Sequence, residues 1–179
     1  MSNSLIKKIL NTPDSEDEKT YDLLSRLRGI KKQGYITKEQ GIEILKWKSP
    51  RPLRYYEKNS DSDFREISKI AFSSKDERVK IHILTALEGV SYPAASAILM
   101  FYDQVNYPVI DIRVWQQLYK AGLVITNPRG QGFRLNEWIT YLDVIRRIAS
   151  ETNLTARQVE KRLFDIDREE RDGNLYQNS

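Results

Sequence analysis

Four stretches of the chain carry the capping-box pattern, in which Ser or Thr is followed three residues later by Glu or Gln. They begin at Ser15, Thr37, Ser74 and Thr155. The side chains of such a box satisfy backbone N–H groups that the first turn of a helix leaves unpaired, so each box predicts the start of a helix. Apolar residues recur at helical spacing after each box, whereas a strand-like pattern is confined to residues 122–127 (GLVITN).

These signals predict an all-α fold of about eight short helices, with a cleft between the basic N-terminal helices and the other half. A chain of 179 residues can bury one core. We expect a single domain over residues 15–171, a flexible N-terminal lead at 1–14 and a flexible tail at 172–179. The residues expected to face the core include Tyr21, Leu24 and Leu27 in one helix and Val79, Ile83, Leu84 and Leu87 in another.

Composition excludes several kinds of chemistry. The chain has no cysteine and a single histidine, His82, so disulfides, thiolate nucleophiles, iron–sulfur clusters and cysteine or multi-histidine zinc sites are not available. Catalysis, if present, must use carboxylates, Lys, Tyr or backbone groups, and we expect no metal and no cofactor. No apolar run approaches the roughly 18 residues of a membrane span, and we expect a cytoplasmic protein without membrane contact.

The net charge is +4, and its distribution is uneven. Residues 26–58 hold ten basic and only three acidic residues, while acids gather at 14–18 and near the C-terminus. A segregated basic face fits a polyanion such as DNA. An ordinary solvated helix surface explains the same charges equally well.

A very short turn joins two helices at LEGVS, residues 87–91. Gly89 permits a positive φ, Ser91 can cap the second helix and Pro93 fits its first turn. Such a turn points free backbone N–H groups outward from a helix N-terminus, which favours an anion. We therefore predict that Gly89, Val90 and Ser91 hold one DNA phosphate without reading sequence.

Asp111 follows the apolar run Tyr107-Pro108-Val109-Ile110 and precedes the next helix. A carboxylate among core-forming side chains must either be stabilised by its surroundings or have a role in function. One interpretation is a helix N-cap. The other is an anion with a role in function.

LEGVSYPAASAIL followed by YPVIDIRVWQQL resembles the helix-hairpin-helix DNA glycosylase superfamily, in which the catalytic aspartate follows the hairpin by about twenty residues; here Asp111 follows Ser91 by twenty. WKSPRPL, SSKDERVKIHILTALEGV and the Trp138 to Arg147 helix extend the likeness to a compact, cysteine-free bacterial branch, over roughly residues 39–168. The resemblance implies a helix-hairpin-helix motif, double-stranded DNA as partner of a monomer, and base excision in repair or defence.

The resemblance also implies roles for residues. Asp111 would stabilise the oxocarbenium-like transition state as a flipped, modified or damaged base is hydrolysed from its sugar. Ser91 replaces the second hairpin glycine of the family. Pro93 occupies the position where bifunctional members carry an imine-forming lysine, so the activity expected is monofunctional, without an AP-lyase step. Candidates for the base pocket or for DNA contacts are Tyr92, Trp115, Arg113, Trp47, Lys48 and Arg51, with Tyr55 and Tyr56 close by.

Two other functions fit the same residues. The chain can be a non-catalytic helix-hairpin-helix module that binds DNA, with Asp111 as a cap only. It can also be a protein-interaction domain whose basic face contacts an acidic partner. DNA binding that weakens with salt separates the first two functions from the third, and base release separates the glycosylase from the binding module.

Overall fold

The computed structural model describes residues 3–171, and all regular structure in that range is helical. This confirms the all-α class. The helices are α1 (Asn3–Asn11), α2 (Glu18–Leu27), α3 (Ile30–Gln33), α4 (Lys38–Lys48), α5 (Leu53–Tyr56), α6 (Asp61–Ser73), α7 (Glu77–Leu84), α8 (Tyr92–Tyr102), α9 (Ile112–Lys120), α10 (Leu135–Thr152) and α11 (Ala156–Glu170). They outnumber the eight expected, partly because α3 and α5 are single turns of four residues.

Two of the four predicted capping boxes are confirmed. The Thr37 and Thr155 side chains accept hydrogen bonds from the backbone three residues later, at the starts of α4 and α11. The other two predictions are wrong, because Asp17 and Asp76 cap α2 and α7. Aspartate is an equally good cap, and each lies nearer to the helix it starts.

Two residues predicted to face the core, one in α2 and one in α7, are exposed. Tyr21 is 68% exposed and Val79 is 44% exposed, so both predicted core positions are wrong. Leu23 in α2 and Ile81 in α7 are buried instead. The stripes beginning one position away satisfy the same helical spacing, which is why periodicity alone did not distinguish them. Residues 122–127 form an irregular connection and not a strand.

Helix α8 is the centre of the fold. Its residues are buried without interruption from Ala94 to Phe101, and it packs against α4 on one side and α7 on the other. The small side chains at residues 94–97 allow the neighbouring helices to approach closely. Helix α11 packs against both α9 and α10.

The first helix belongs to the packed structure. Leu5 and Ile9 of α1 are buried, and α1 lies against α10 and α11. The packed part of the chain thus begins before residue 15, the predicted start of the domain. The predicted tail at 172–179 lies outside the described residues. Within residues 3–171, no helix is both long and apolar enough to cross a membrane.

Candidate functional site

Asp111 is the N-cap of α9. Val109 and Ile110 before it are buried, which fixes the entry of the chain into the helix. Oδ1 of Asp111 accepts a hydrogen bond from the backbone N–H of Arg113 at 3.0 Å, as expected of a cap. The side chain is 25% exposed, so the carboxylate remains reachable from outside.

The second oxygen of Asp111 forms an ion pair. Oδ2 lies 3.0 Å from Nζ of Lys48, at the C-terminal end of α4, and the lysine side chain is only 17% exposed. The guanidinium of Arg113, a candidate DNA contact, pairs with buried Asp167, with 3.1 Å between Nη1 and Oδ2. The contact of Oδ1 with the Arg113 N–H and that of Oδ2 with Lys48 together hold the Asp111 carboxylate in one orientation.

Asp111 and Lys48 face a pocket of about 360 Å³. Its walls come from α4, from the start of α9, from α11 and from the residues at the start of α2. Two aromatic rings, Trp47 and Phe164, line it. Its size lies within the range of about 300–1,000 Å³ typical of small-molecule sites.

Trp47 is fixed in place by polar and aromatic contacts. Its indole N–H donates to Oγ1 of Thr20 at 2.7 Å, and its ring meets Phe101 edge-on with 5.1 Å between centroids. The guanidinium of Arg157 lies 5.4 Å from the centroid of the Trp47 ring. The ring is half-buried, so it forms a rigid wall.

A buried charge network supports the pocket from α11. Arg157 makes two hydrogen bonds to Glu16, at 2.7 and 2.9 Å, and donates a short one to Glu160. Burial raises the pKa of Glu160 above its ordinary value, although the charge of Arg157 opposes the shift. The charge of Lys48 lowers the pKa of Glu160, and the charge of Asp111 raises it. The three groups are therefore close enough to interact electrostatically.

The turn before α8 has the backbone that the sequence predicts at Gly89, where φ is +83°. A Cβ there would lie 2.7 Å from Cβ of Tyr55. Buried Asn59 clamps the turn: its Oδ1 accepts from the Glu88 N–H at 2.7 Å, and its Nδ2 donates to the Glu88 carbonyl at 3.1 Å. The turn is therefore held rigidly against α5.

One predicted phosphate contact and one predicted helix cap need correction. The Val90 N–H donates to the Leu87 carbonyl at 3.1 Å and is not available to a ligand. Ser91 is the N-cap of α8, but its side chain forms no capping hydrogen bond. Within the described residues, the backbone N–H groups that lack an acceptor around this turn are those of Gly89, Ser91, Tyr92 and Ala94.

The remaining candidates lie in different surroundings. Trp115 is fully buried and its indole N–H donates to the Asn127 carbonyl at 2.8 Å, so its ring belongs to the core. Tyr92 is half-buried, with its hydroxyl 2.8 Å from Nδ1 of His82. Arg51 is exposed in the turn after α4. None of the three lines the Asp111 pocket.

The residues from α11 were missed by sequence reasoning. Arg157, Glu160 and Phe164 recur at helical spacing after the Thr155 cap, so they share one face of α11. That spacing was visible in the sequence. Their position beside Asp111 was not, since it depends on how α11 folds back onto α9.

The basic stretch at residues 26–58 is partly neutralised. Arg26 pairs with Glu43 at 2.7 Å and Lys58 with Glu88 at 2.7 Å. In the described residues, four exposed members of the stretch form no salt bridge: Arg28, Lys32, Lys46 and Arg54.

Comparison with protein-family models, with curated proteins and with solved structures gives no match. The likeness to the glycosylase superfamily thus depends on the residues and their spacing. Within residues 3–171, no group of three or more His, Asp or Glu side chains is placed to hold a metal ion.

Proposed function

We propose that the chain is a monofunctional DNA glycosylase of the helix-hairpin-helix class, which hydrolyses the N-glycosidic bond of a flipped, modified base. The observation that supports this best is the place of Asp111. Its partly exposed carboxylate lies at a helix start, beside Lys48, on a pocket with two aromatic walls. An anion beside a base-sized pocket is what breaking a glycosidic bond requires.

The proposed reaction breaks the bond between C1′ of the deoxyribose and the base nitrogen. Positive charge develops on the sugar ring, and the Asp111 carboxylate stabilises it more than the uncharged ground state. Water adds at C1′ and loses a proton, for which Asp111 is the nearest base, while the leaving base nitrogen gains a proton. Lys48 acts as a positioning residue that holds Oδ2 of Asp111.

DNA would lie across the turn before α8 and the basic N-terminal helices, along the cleft that the sequence predicts between the two halves. The free N–H groups around Gly89 and Ser91 suit one phosphate, and the dipole of α8 adds to their attraction. The exposed cations Arg28, Lys32 and Lys46 suit further phosphates. These contacts involve only the DNA backbone, so they support binding to any duplex sequence.

A non-catalytic DNA-binding module is the second candidate, because both oxygens of Asp111 already have structural partners. One caps α9 and the other pairs with Lys48. In that case the carboxylate serves the fold alone, and the pocket has no chemistry. The third function, contact with an acidic protein, has no specific support from the site.

The experiment is incubation with duplexes that each carry one modified base, followed by alkali to cut abasic sites. Asp111→Asn should keep duplex binding and lose base release. Asp76→Asn is the matched control, since Asp76 also caps a helix by accepting from the N–H two residues on, at 2.7 Å, but lies away from the pocket. Full release by Asp111→Asn would leave Asp111 as a cap and favour the binding module.

The product also tests the proposal. Pro93 cannot form an imine, so the strand should stay intact until alkali is added, and borohydride should trap no covalent complex. A trapped complex would identify another amine as a nucleophile, and Lys48→Met would show whether it is the lysine beside Asp111.

A further inference from the structure

Glu160 has one oxygen without a partner. The side chain is 4% exposed, and its Oε2 accepts from Arg157 Nη1 and, at 3.4 Å, from the Val109 N–H. Oε1 accepts no hydrogen bond within the described residues. Oε1 also retains some exposure to solvent. Since Glu160 lines the Asp111 pocket, Oε1 opens onto that pocket.

In the free protein, water in the pocket can reach Oε1. A ligand that fills the pocket displaces that water and must then provide a donor, because a carboxylate oxygen that is buried without one costs more than a typical hydrogen bond contributes. The Arg157 guanidinium does not use Oε1, because Oε2 of Glu160 accepts from its Nη1 and Glu16 accepts from Nε and Nη2. The open acceptor is therefore better explained by a ligand that enters the pocket than by the needs of the fold.

Resting on the proposed function, we infer that Glu160 is a specificity-determining residue, whose Oε1 accepts a hydrogen bond from an amino or ring N–H of the flipped base. The base stacks against the aromatic wall formed by Trp47 or Phe164, and its N–H edge points to α11. The substrate class is then a base that presents a hydrogen-bond donor on this edge. A base with only acceptors there would meet a carboxylate and be rejected.

The Glu160→Gln variant tests this because the surroundings dictate its orientation. Two donors face the Oε2 position, so the amide oxygen must take that place and the amide NH2 must point into the pocket. The substitution thus replaces an acceptor by a donor without changing size. Glu16→Gln is the control, since Glu16 binds the other side of the same guanidinium and does not line the pocket.

Base release from the modified-base duplexes is measured under single-turnover conditions, with affinity for a duplex containing a tetrahydrofuran abasic analogue measured beside it. Glu160→Gln should lower the release rate on the order of 100-fold, the effect of a lost hydrogen bond to a charged group plus a facing donor pair. Its affinity for the abasic duplex should not change, because that ligand has no base. Glu16→Gln should release base normally.

A Glu160→Gln variant that releases base close to the wild-type rate overturns the inference, and so does an equal loss in Glu16→Gln, which would make the network structural. If the wild-type protein releases no base, the proposed function fails on its own. Affinity then decides for Glu160: a preference for base-bearing over abasic duplex that Glu160→Gln removes supports the role, and its absence overturns it.

Discussion

Replacing Gly89 with Ala should destabilise the protein through two separate effects at the turn before α8. With φ at +83°, an added Cβ costs about 1–2 kcal/mol from the left-handed backbone alone. That Cβ would also lie 2.7 Å from Cβ of Tyr55, an atom fixed to the backbone of α5 that cannot rotate away. Relieving the overlap requires the turn to shift, at a further cost of about 1–3 kcal/mol.

Gly34 provides the matched control. Its φ is +77°, and an added Cβ there meets nothing within 4 Å, so Gly34→Ala should lose only the backbone contribution of about 1–2 kcal/mol. Urea unfolding followed by circular dichroism gives both free energies. Equal losses in the two variants would refute the packing argument. Duplex affinity of Gly89→Ala should fall alike for all sequences, because the proposed contacts of the turn are with backbone phosphate only. Loss for one sequence alone would mean that the turn reads bases.

Three further predictions concern the ion pair, the clamp and acid stability. At 3.0 Å, two full charges would attract by about 5 kcal/mol at the effective dielectric of a protein. Both Lys48 and Asp111 are partly exposed, so we expect a coupling free energy of about 1–2 kcal/mol. A double-mutant cycle of Lys48→Met and Asp111→Asn measures this coupling, and a value of zero contradicts the pair. Asn59→Ala should cost about 1–2 kcal/mol, because it removes two part-buried hydrogen bonds, to the N–H and to the carbonyl of Glu88. Thermal unfolding measures the loss, and an unchanged midpoint contradicts the clamp. Burial raises the pKa of Asp167, but hydrogen bonds from Arg171, Gln117 and Arg113 lower it below the ordinary value. Ionised Asp167 therefore stabilises the fold fully above about pH 4 to 5, the pKa range of an unfolded aspartate. This stabilisation is lost as the pH falls through the lower pKa of Asp167 in the folded protein. Asp167→Asn should flatten the acid limb of a stability–pH curve, and an unchanged limb would place the acid sensitivity elsewhere.

The fold class was predictable because local signals act within a single helix. The Thr37 and Thr155 boxes place the starts of α4 and α11 correctly, since both the cap and its partner lie within four residues. Tyr21 and Val79 show the limit of the same reasoning. Periodicity fixes the spacing of a buried stripe, but packing against neighbouring helices selects which of two adjacent stripes is buried.

The site was predictable only in part. The cap at Asp111 and the positive φ of Gly89 follow from residue type and neighbours. The contact of Lys48 with Asp111 spans 63 residues, and the place of Glu160 depends on how α11 packs. Trp115 was a reasonable aromatic candidate on sequence, but as the fourth residue of α9 it turns into the core.

Capping and catalysis make compatible demands on Asp111. A cap requires that one carboxylate oxygen be fixed on a backbone N–H at the start of a helix, and a group that must meet a developing charge needs the same fixed position before the substrate arrives. The bond from Arg113 N–H holds Oδ1 and Lys48 holds Oδ2. The cap is thus the means by which the carboxylate would be aimed, and finding it does not argue against chemistry. What separates the two functions is the charge, because Asp111→Asn retains the cap but removes the anion. The variant should lose no more stability than the ~1–2 kcal/mol of the pair with Lys48 and should still bind duplex DNA, while base release is lost.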